Sequence, residues 1–342
     1  MSTTPTSDRF LSRIVGGFAD PPRELDLLTD DQPVKPHPPV HRWRHNAGIR
    51  AAIFLAIGLV GSLLLGLGIG LAAAALKSDV GALLEYANAM SIPVLVVAYL
   101  LLAMWWERRR PPVELAPRRW TGLLWGLAWG AVLQVICVGL LALLGAYRIQ
   151  GFDWSYNIVP MLLAAGFGAA INEEILFRGI LFRLVEDTFG TWVSVAISGL
   201  VFGLAHLTNP HATLQGALAI ALEAGVLFAA LYALTRSLWL VMGLHFAWNM
   251  VQGPILGIVV SGSSGEGTGY VRSTLEGPAW LAGGGFGMEA SLVTVVLLTA
   301  LAIYLLVVVR RRGLVVDPFW VRRRKLAGRT PPPAVAVVEN AA

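Results

Sequence analysis

Eight stretches, near residues 51–76, 90–106, 120–146, 158–184, 191–207, 213–234, 238–260 and 290–309, are almost continuously apolar. Most reach the roughly 20 residues that a helix needs to cross the hydrocarbon core of a bilayer. In lipid a backbone must satisfy its own hydrogen bonds, so runs of this kind fold as helices. The sequence therefore predicts an all-α, polytopic membrane helix bundle of about eight transmembrane helices. The second and fifth runs are short, the fourth carries charge, and Pro254 inside the seventh is expected to stop or kink it. Charged residues make up only 14% of the chain, against roughly 25% in an average soluble domain.

Three regions follow from this pattern. Residues 1–47, with Pro21, Pro22, Pro33, Pro36, Pro38 and Pro39 among mixed charges, read as a disordered cytoplasmic arm. Residues 48–309 form the transmembrane domain, with its chemistry in a core at about 158–255. Residues 310–342 form a basic, Pro-rich cytoplasmic tail that includes Pro331, Pro332 and Pro333. The first apolar run begins too late for a cleavable signal peptide. Cys137 is the only cysteine, which removes disulfides and Cys-based metal sites. No internal repeat is visible, which weighs against an inverted-repeat transporter.

The net charge of +5 and pI near 9.6 do not point to nucleic acid, because the basic residues fall in loops and tails between apolar runs. They alternate in the manner that orients membrane proteins. One set of segments carries Arg42, Arg44, Arg50, Arg108–Arg110, Arg118, Arg119, Arg183, Arg236, Arg310–Arg312, Arg322–Arg324 and Lys325. The other set carries only Lys77, Arg148 and Arg272. Both termini are expected in the cytoplasm, with the Gly- and Ser-rich loop 261–288 outside and flexible. The strong preference for Arg over Lys suits a GC-rich bacterial genome. Trp105, Trp106, Trp120 and Trp239 fall at the ends of runs, as interfacial anchors do.

Ionisable side chains inside a membrane are costly and mark functional sites. Here they concentrate in three runs: Asn172–Arg178 (NEEILFR), Phe202–His206 (FGLAH) and His245–Asn249 (HFAWN). Glu174 and Arg178 stand four apart on one helical face and are expected to pair. Glu173 lies about 100° around the helix from Glu174, which leaves it as the candidate general base. Gly190 stands midway between Glu173 and His206, so a hairpin turning there sets the two at equal depth, able to hold one water between them. His245 and Asn249, again four apart, form a candidate oxyanion-binding pair. Polar bonding between helices explains that pair equally well. Counting from a turn near Arg236, His245 is expected about 10 Å closer to the cytoplasmic surface than Glu173. A buried ion-pair network that merely locks helices together is the competing reading of the first run. Glu223, alone in the sixth run, reads as a hydrogen-bonded structural acid, and His211 as a solvated turn residue.

Other membrane peptidase sites are absent: there is no H-E-x-x-H and no intramembrane aspartate pair. Gly262-Ser263-Ser264-Gly265 matches a rhomboid-type G-x-S-G only superficially, since no histidine follows His245 to serve as its base.

At these motifs the chain resembles the CPBP family of intramembrane proteases, the CAAX prenyl endopeptidase type II and bacteriocin-processing (Abi) group. Glu173, Glu174 and Arg178 match its E-E-x-x-x-R element, Phe202 and His206 its F-x-x-x-H, and His245 and Asn249 its more variable H-x-x-x-N, all within about 160–255. The resemblance implies hydrolysis of a peptide bond in a membrane-associated protein or peptide by an activated water. Glu173 would be the base, His206 its partner on the water, and His245 with Asn249 the oxyanion site, supported by Glu174, Arg178 and Phe202. A divalent metal such as zinc, held by Glu173, His206 and His245, is compatible with these donors but not demanded by them. The alternative is a non-catalytic scaffold or transporter built on the same polar network.

Overall fold

A computed structural model describes residues 46–76, 87–109, 112–263 and 268–327 of the chain. The N-terminal arm and the Pro-rich end of the tail lie outside the described residues, and so does residue 77–86, the connection after the first helix. Among the described residues, eight helical segments occupy the places of the eight apolar runs. They are α1 (Ala47–Leu76), α2 (Ile92–Trp106), α3 (Thr121–Leu143), α4 (Val159–Phe189), α5 (Thr191–Ala205), α6 (Leu214–Thr235), α7 (Leu238–Met250, continued by a π turn over Val251–Ile255) and α8 (Leu292–Arg311).

Six of these are long and apolar enough to cross a membrane. The exceptions have physical reasons. α2 is short. α7 carries His245, Asn249 and Gln252, and nearly all its side chains are buried by neighbouring helices, so it needs no lipid-facing apolar surface. Pro254 falls inside the π turn that ends α7, as expected for a residue that cannot donate a backbone hydrogen bond.

The helices alternate in direction through the bundle, and contacts at each end show it. At one end Arg50, at the start of α1, reaches Glu107 after α2 (3.3 Å) and Asp187 near the end of α4 (2.5 Å). Arg119, before α3, donates to the Arg236 carbonyl after α6 (2.7 Å), and Arg322, after α8, donates to the Asp187 carbonyl (3.0 Å). At the other end a two-stranded antiparallel sheet pairs β1 (Tyr147–Phe152), after α3, with β2 (Val271–Leu275), before α8. There too the Asn209 side chain, after α5, donates to the Ser261 carbonyl beyond α7 (2.6 Å).

One sequence expectation is corrected. The described residues of 261–288 do not form the slack loop expected: besides β2 they hold a short helix at Ala279–Ala282 and tight turns at Gly277, Gly283, Gly284 and Gly287, whose positive φ suits glycine. Part of the tail forms α9 (Phe319–Ala327) and is docked through Arg322. Arg50, Arg109, Arg183 and Arg236, at the ends of apolar runs, are buried in ion pairs.

Small residues set the helix spacing. A Cβ at Gly126 on α3 would strike the Leu240 carbonyl of α7, and one at Gly243 on α7 would strike the Leu123 carbonyl of α3. Gly203 of α5 meets Ala217 and Ala221 of α6 in the same way, and Gly225 meets Gly199. Small residues at such seams let membrane helices approach closely enough for dispersion to hold them. These two seams bring α5, α6 and α7 around α4, which carries the acidic motif.

Candidate functional site

The charged motif sits midway along α4, where the helix widens into π turns over Leu162–Ala169 and Ile175–Phe182. Such turns recur at functional sites because they re-aim side chains. Asn172 opens the motif and donates to Ser91 Oγ before α2 (2.7 Å), which fixes the rotation of α4.

Glu174 is fully buried and accepts two donors on one oxygen. Arg178 Nη1 donates to its Oε1 at 3.0 Å, and His245 Nδ1 of α7 lies 2.9 Å from the same atom. The ion pair read from helical spacing is present, but its second partner was not foreseen. It also removes the predicted depth gap. The turn at Arg236 and Ser237 is buried inside the bundle rather than at its surface, and Arg236 pairs with Glu186 of α4. From Arg236 to His245 is about 14 Å of helix and from Glu186 to Glu174 about 18 Å, a difference that the long Arg236 side chain spans.

Arg178 Nη2 donates to the Gly225 carbonyl of α6 at 3.1 Å. Its guanidinium lies 4.6 Å from the Phe202 ring centroid and 5.1 Å from that of Phe228, in cation–π range. Phe202 also meets the His206 ring at 4.8 Å and the His245 ring at 6.1 Å. The F-x-x-x-H spacing thus has a structural cause: Phe202 links the buried arginine to both histidines.

Two hydrogen bonds orient the histidines. His206 Nδ1 is 2.8 Å from the Phe202 carbonyl, which only accepts, so Nδ1 carries the proton and neutral His206 has its lone pair on Nε2. His245 Nδ1 faces the Glu174 carboxylate, so His245 likewise directs Nε2 away from Glu174. Asn249 does not bond to His245; its Nδ2 donates to the Ala165 carbonyl of α4 at 2.9 Å, leaving one amide hydrogen.

Glu173 is half-buried, and its Oε2 is shielded from solvent without a hydrogen-bond partner. It acts electrostatically on Arg178 without joining the Glu174–His245 chain. The donor chemistry of two histidines, each with its other nitrogen already bonded, suits a metal. However, no three His, Cys, Asp or Glu side chains among the described residues are grouped to hold one ion, so Glu173, His206 and His245 as placed do not form a ligand set.

Other polar residues depart from the sequence reading. Glu223 is buried, but neither carboxyl oxygen has a partner. Glu289, just before α8, was overlooked; it is buried and accepts from Trp248 Nε1 (3.1 Å) and from Ser261 N (2.5 Å) and Oγ (3.0 Å). Its position against the last apolar run was the available signal. Phe228 and the Gly225 carbonyl carried no sequence signal at all.

This architecture defines a polytopic α-helical membrane protein with a buried carboxylate–histidine site. Residues 154–251 match the Rce1-like family, described as type II CAAX prenyl endopeptidase Rce1-like, and all three motifs fall within that segment. The resemblance read from the motifs therefore holds over the core of the site. YdiL of Bacillus subtilis (strain 168), provisionally named as a membrane peptidase, is 30% identical over 89 residues, which is 26% of this chain and 34% of that relative. The chain thus spans about a third of the length of the curated relative it matches. No solved structure gives a significant match.

Proposed function

We propose that this protein is an intramembrane endopeptidase that hydrolyses a peptide bond in a membrane-associated protein or peptide. The observation that carries the reading is the division of labour between adjacent carboxylates. Glu174 is committed through Oε1 to Arg178 and His245, while Glu173 enters no ion pair or hydrogen bond; each keeps its Oε2 shielded and without a partner, but Glu173 alone is half-buried and so placed to meet a water. A carboxylate held in that state is suited to take a proton from water.

In the proposed reaction a water is held between Glu173 and His206 Nε2. Glu173 removes one proton as the water oxygen attacks the scissile carbonyl. The resulting tetrahedral oxyanion is met by His245 and by the free amide hydrogen of Asn249. Neutral His245 would present a lone pair from Nε2, so it donates to the oxyanion only when protonated, a state that the Glu174 carboxylate balances. Collapse breaks the C–N bond, and Glu173 returns its proton to the leaving amine. Arg178 and Phe202 hold Glu174 and the two imidazoles in register. These proposed steps use only the side chains named. Both termini are assigned to the cytoplasm of a bacterial cell on the arginine asymmetry.

A scaffold or transporter is the second reading. It is favoured by a line of buried polar groups, Gln134, Gln252, Glu289 and Glu223, on the side of the bundle facing α3 and α8. A transport path must continue to both surfaces, and Phe182 and Tyr232 pack edge to face between the site and the arginine-rich end. The test is to compare membrane proteomes of cells carrying wild type and Glu173→Gln. Uncleaved protein should accumulate in the variant, and identical proteomes would overturn the peptidase assignment.

A further inference from the structure

Among the described residues, Glu223 is a fully buried carboxyl with neither oxygen hydrogen-bonded. It sits in a π turn of α6 over Ala221–Gly225, a distortion that recurs at functional sites. Two residues on, Gly225 turns its carbonyl to Arg178. A step of two rotates a helix by about 200°, so Glu223 faces away from the Glu174–Arg178 pair. The charge that acts on Glu223 is another carboxyl, Glu289. Glu289 is buried as well and takes neutral donors: Trp248 Nε1 and the amide and hydroxyl of Ser261. Neither acid forms an ion pair with an Arg, Lys or His among the described residues. Two like charges enclosed together in an apolar bundle need a counter-charge.

Further oxygens gather beside this pair. On α3, Gln134 and Cys137 stand three apart on one face. Cys137 is within electrostatic reach of Glu223 and lies against Thr294 of α8, and α8 packs along the π turn that carries Glu223. Gln134 Nε2 donates to Gln252 Oε1 and to Sδ of Met288, the neighbour of Glu289, both at 3.2 Å. The amide hydrogens of Gln134 are thus directed to other partners, and its buried Oε1 has none. Thr294 Oγ1 is likewise buried and without a partner. With the two oxygens of Glu223, that makes four unmatched oxygens from three helices next to a second carboxylate. Each orphaned polar atom is costly to bury, and a single oxygen-seeking cation satisfies them together.

We propose that Glu223, Glu289, Gln134 and Thr294 hold a calcium ion between α3, α6 and α8. Two carboxylates balance its charge. The donors are all oxygen, which suits a hard cation rather than zinc or copper. Magnesium demands near-ideal octahedral geometry and keeps much of its water, whereas calcium accepts irregular sets of protein oxygens. The site is separate from Glu173, His206 and His245, and it does not depend on the peptidase reading. Its use is structural. Glu289 holds Trp248, which stands between His245 and Asn249, so an ion on Glu289 ties that motif of α7 to α3, α6 and α8.

The test is thermal unfolding of the whole chain in detergent, purified in EDTA and followed by tryptophan fluorescence. Calcium chloride at about 1 mM, enough for a weak site, should raise the midpoint by at least about 3 °C. Magnesium chloride, or sodium chloride at matched ionic strength, should raise it less. Glu223→Gln should abolish the calcium shift, and its midpoint in EDTA should match or exceed that of wild type, because one of two like charges is gone. Thr294→Val keeps both carboxylates and should need at least about tenfold more calcium for the same shift. Glu276→Gln, at an exposed acid, should respond as wild type does. Elemental analysis of protein prepared in calcium and then desalted should find the metal in wild type and only background in Glu223→Gln. A wild type that gains nothing from calcium, a shift that survives Glu223→Gln, or an equal shift from magnesium or sodium would each overturn the inference. So would stabilisation by mild acid in place of any cation, which would assign the pair a shared proton.

Discussion

Substituting either adjacent glutamate by glutamine removes one negative charge, yet the two changes should have opposite consequences. In Glu174→Gln the amide oxygen still accepts from Arg178 Nη1 and His245 Nδ1, because both converge on Oε1. Geometry is kept and only charge is lost. Arg178, fully buried, is then left with the Gly225 carbonyl and the faces of Phe202 and Phe228. Stripping a buried charge of its partner costs about 3–5 kcal/mol, and the retained hydrogen bonds place this variant near the lower end. Glu173→Gln disturbs no ion pair; it should change stability by less than about 1 kcal/mol while lowering turnover at least ~10²-fold. Arg178→Met added to Glu174→Gln removes the stranded charge and should recover at least about 1 kcal/mol of the loss. The assay is denaturant unfolding in detergent, followed by tryptophan fluorescence, beside cleavage of a protein that accumulates in Glu173→Gln cells. Wild-type stability in Glu174→Gln, or equal destabilisation by both substitutions, would refute the division of roles.

Three further outcomes are expected. At Glu114 burial favours the neutral acid, but Arg109, with help from Arg183 and Tyr99, outweighs it and holds the carboxyl down to about 2. Because this value is depressed, the stability it confers is full above the usual carboxylate range near 4.5 and is lost as pH falls towards 2; Glu114→Gln should flatten an acid-unfolding curve over that window. Gly126→Ala should destabilise by about 1–3 kcal/mol, because its methyl meets backbone of α7. Gly139→Ala, which meets nothing, should be neutral or stabilising by up to about 1 kcal/mol, and equal unfolding of the two would contradict the seam. Cysteine accessibility mapping should place residues 148 and 272 on the face opposite residue 325, and common labelling would contradict the alternation of helices.

The readable parts of the sequence were those governed by local periodicity. The span positions follow from apolar run length, and the Glu174–Arg178 pair from a spacing of four. The α4–α5 hairpin turns at Gly190, whose positive φ of 82° suits a residue without Cβ. What escaped depends on where different helices touch. Nothing local to Glu174 or His245 reveals a contact 71 positions apart, nor that Gly225 would offer Arg178 its carbonyl. The helix count along α7 misled because the turn preceding it is buried. Composition misled at 268–288, where Gly277, Gly283, Gly284 and Gly287 shape tight turns instead of leaving a slack loop. Glu223 escaped as well: its position in an apolar run announces burial but says nothing about whether its oxygens find donors.

The arginine pattern correctly separates the two ends of the bundle although many of these arginines are no longer free charges. The two facts belong to different stages of the chain's history. Positive charge acts on orientation while segments enter a membrane one at a time, before residues such as Arg50, Arg109, Arg183 and Arg236 could meet their acids. Glu107, Glu114, Glu186 and Asp187 lie at the same end but influence orientation little. Once the helices pack, those acids take up the arginines in buried pairs that join α1, α2, α4 and α6. The residues that mark this end in the sequence thereby tie its helices together.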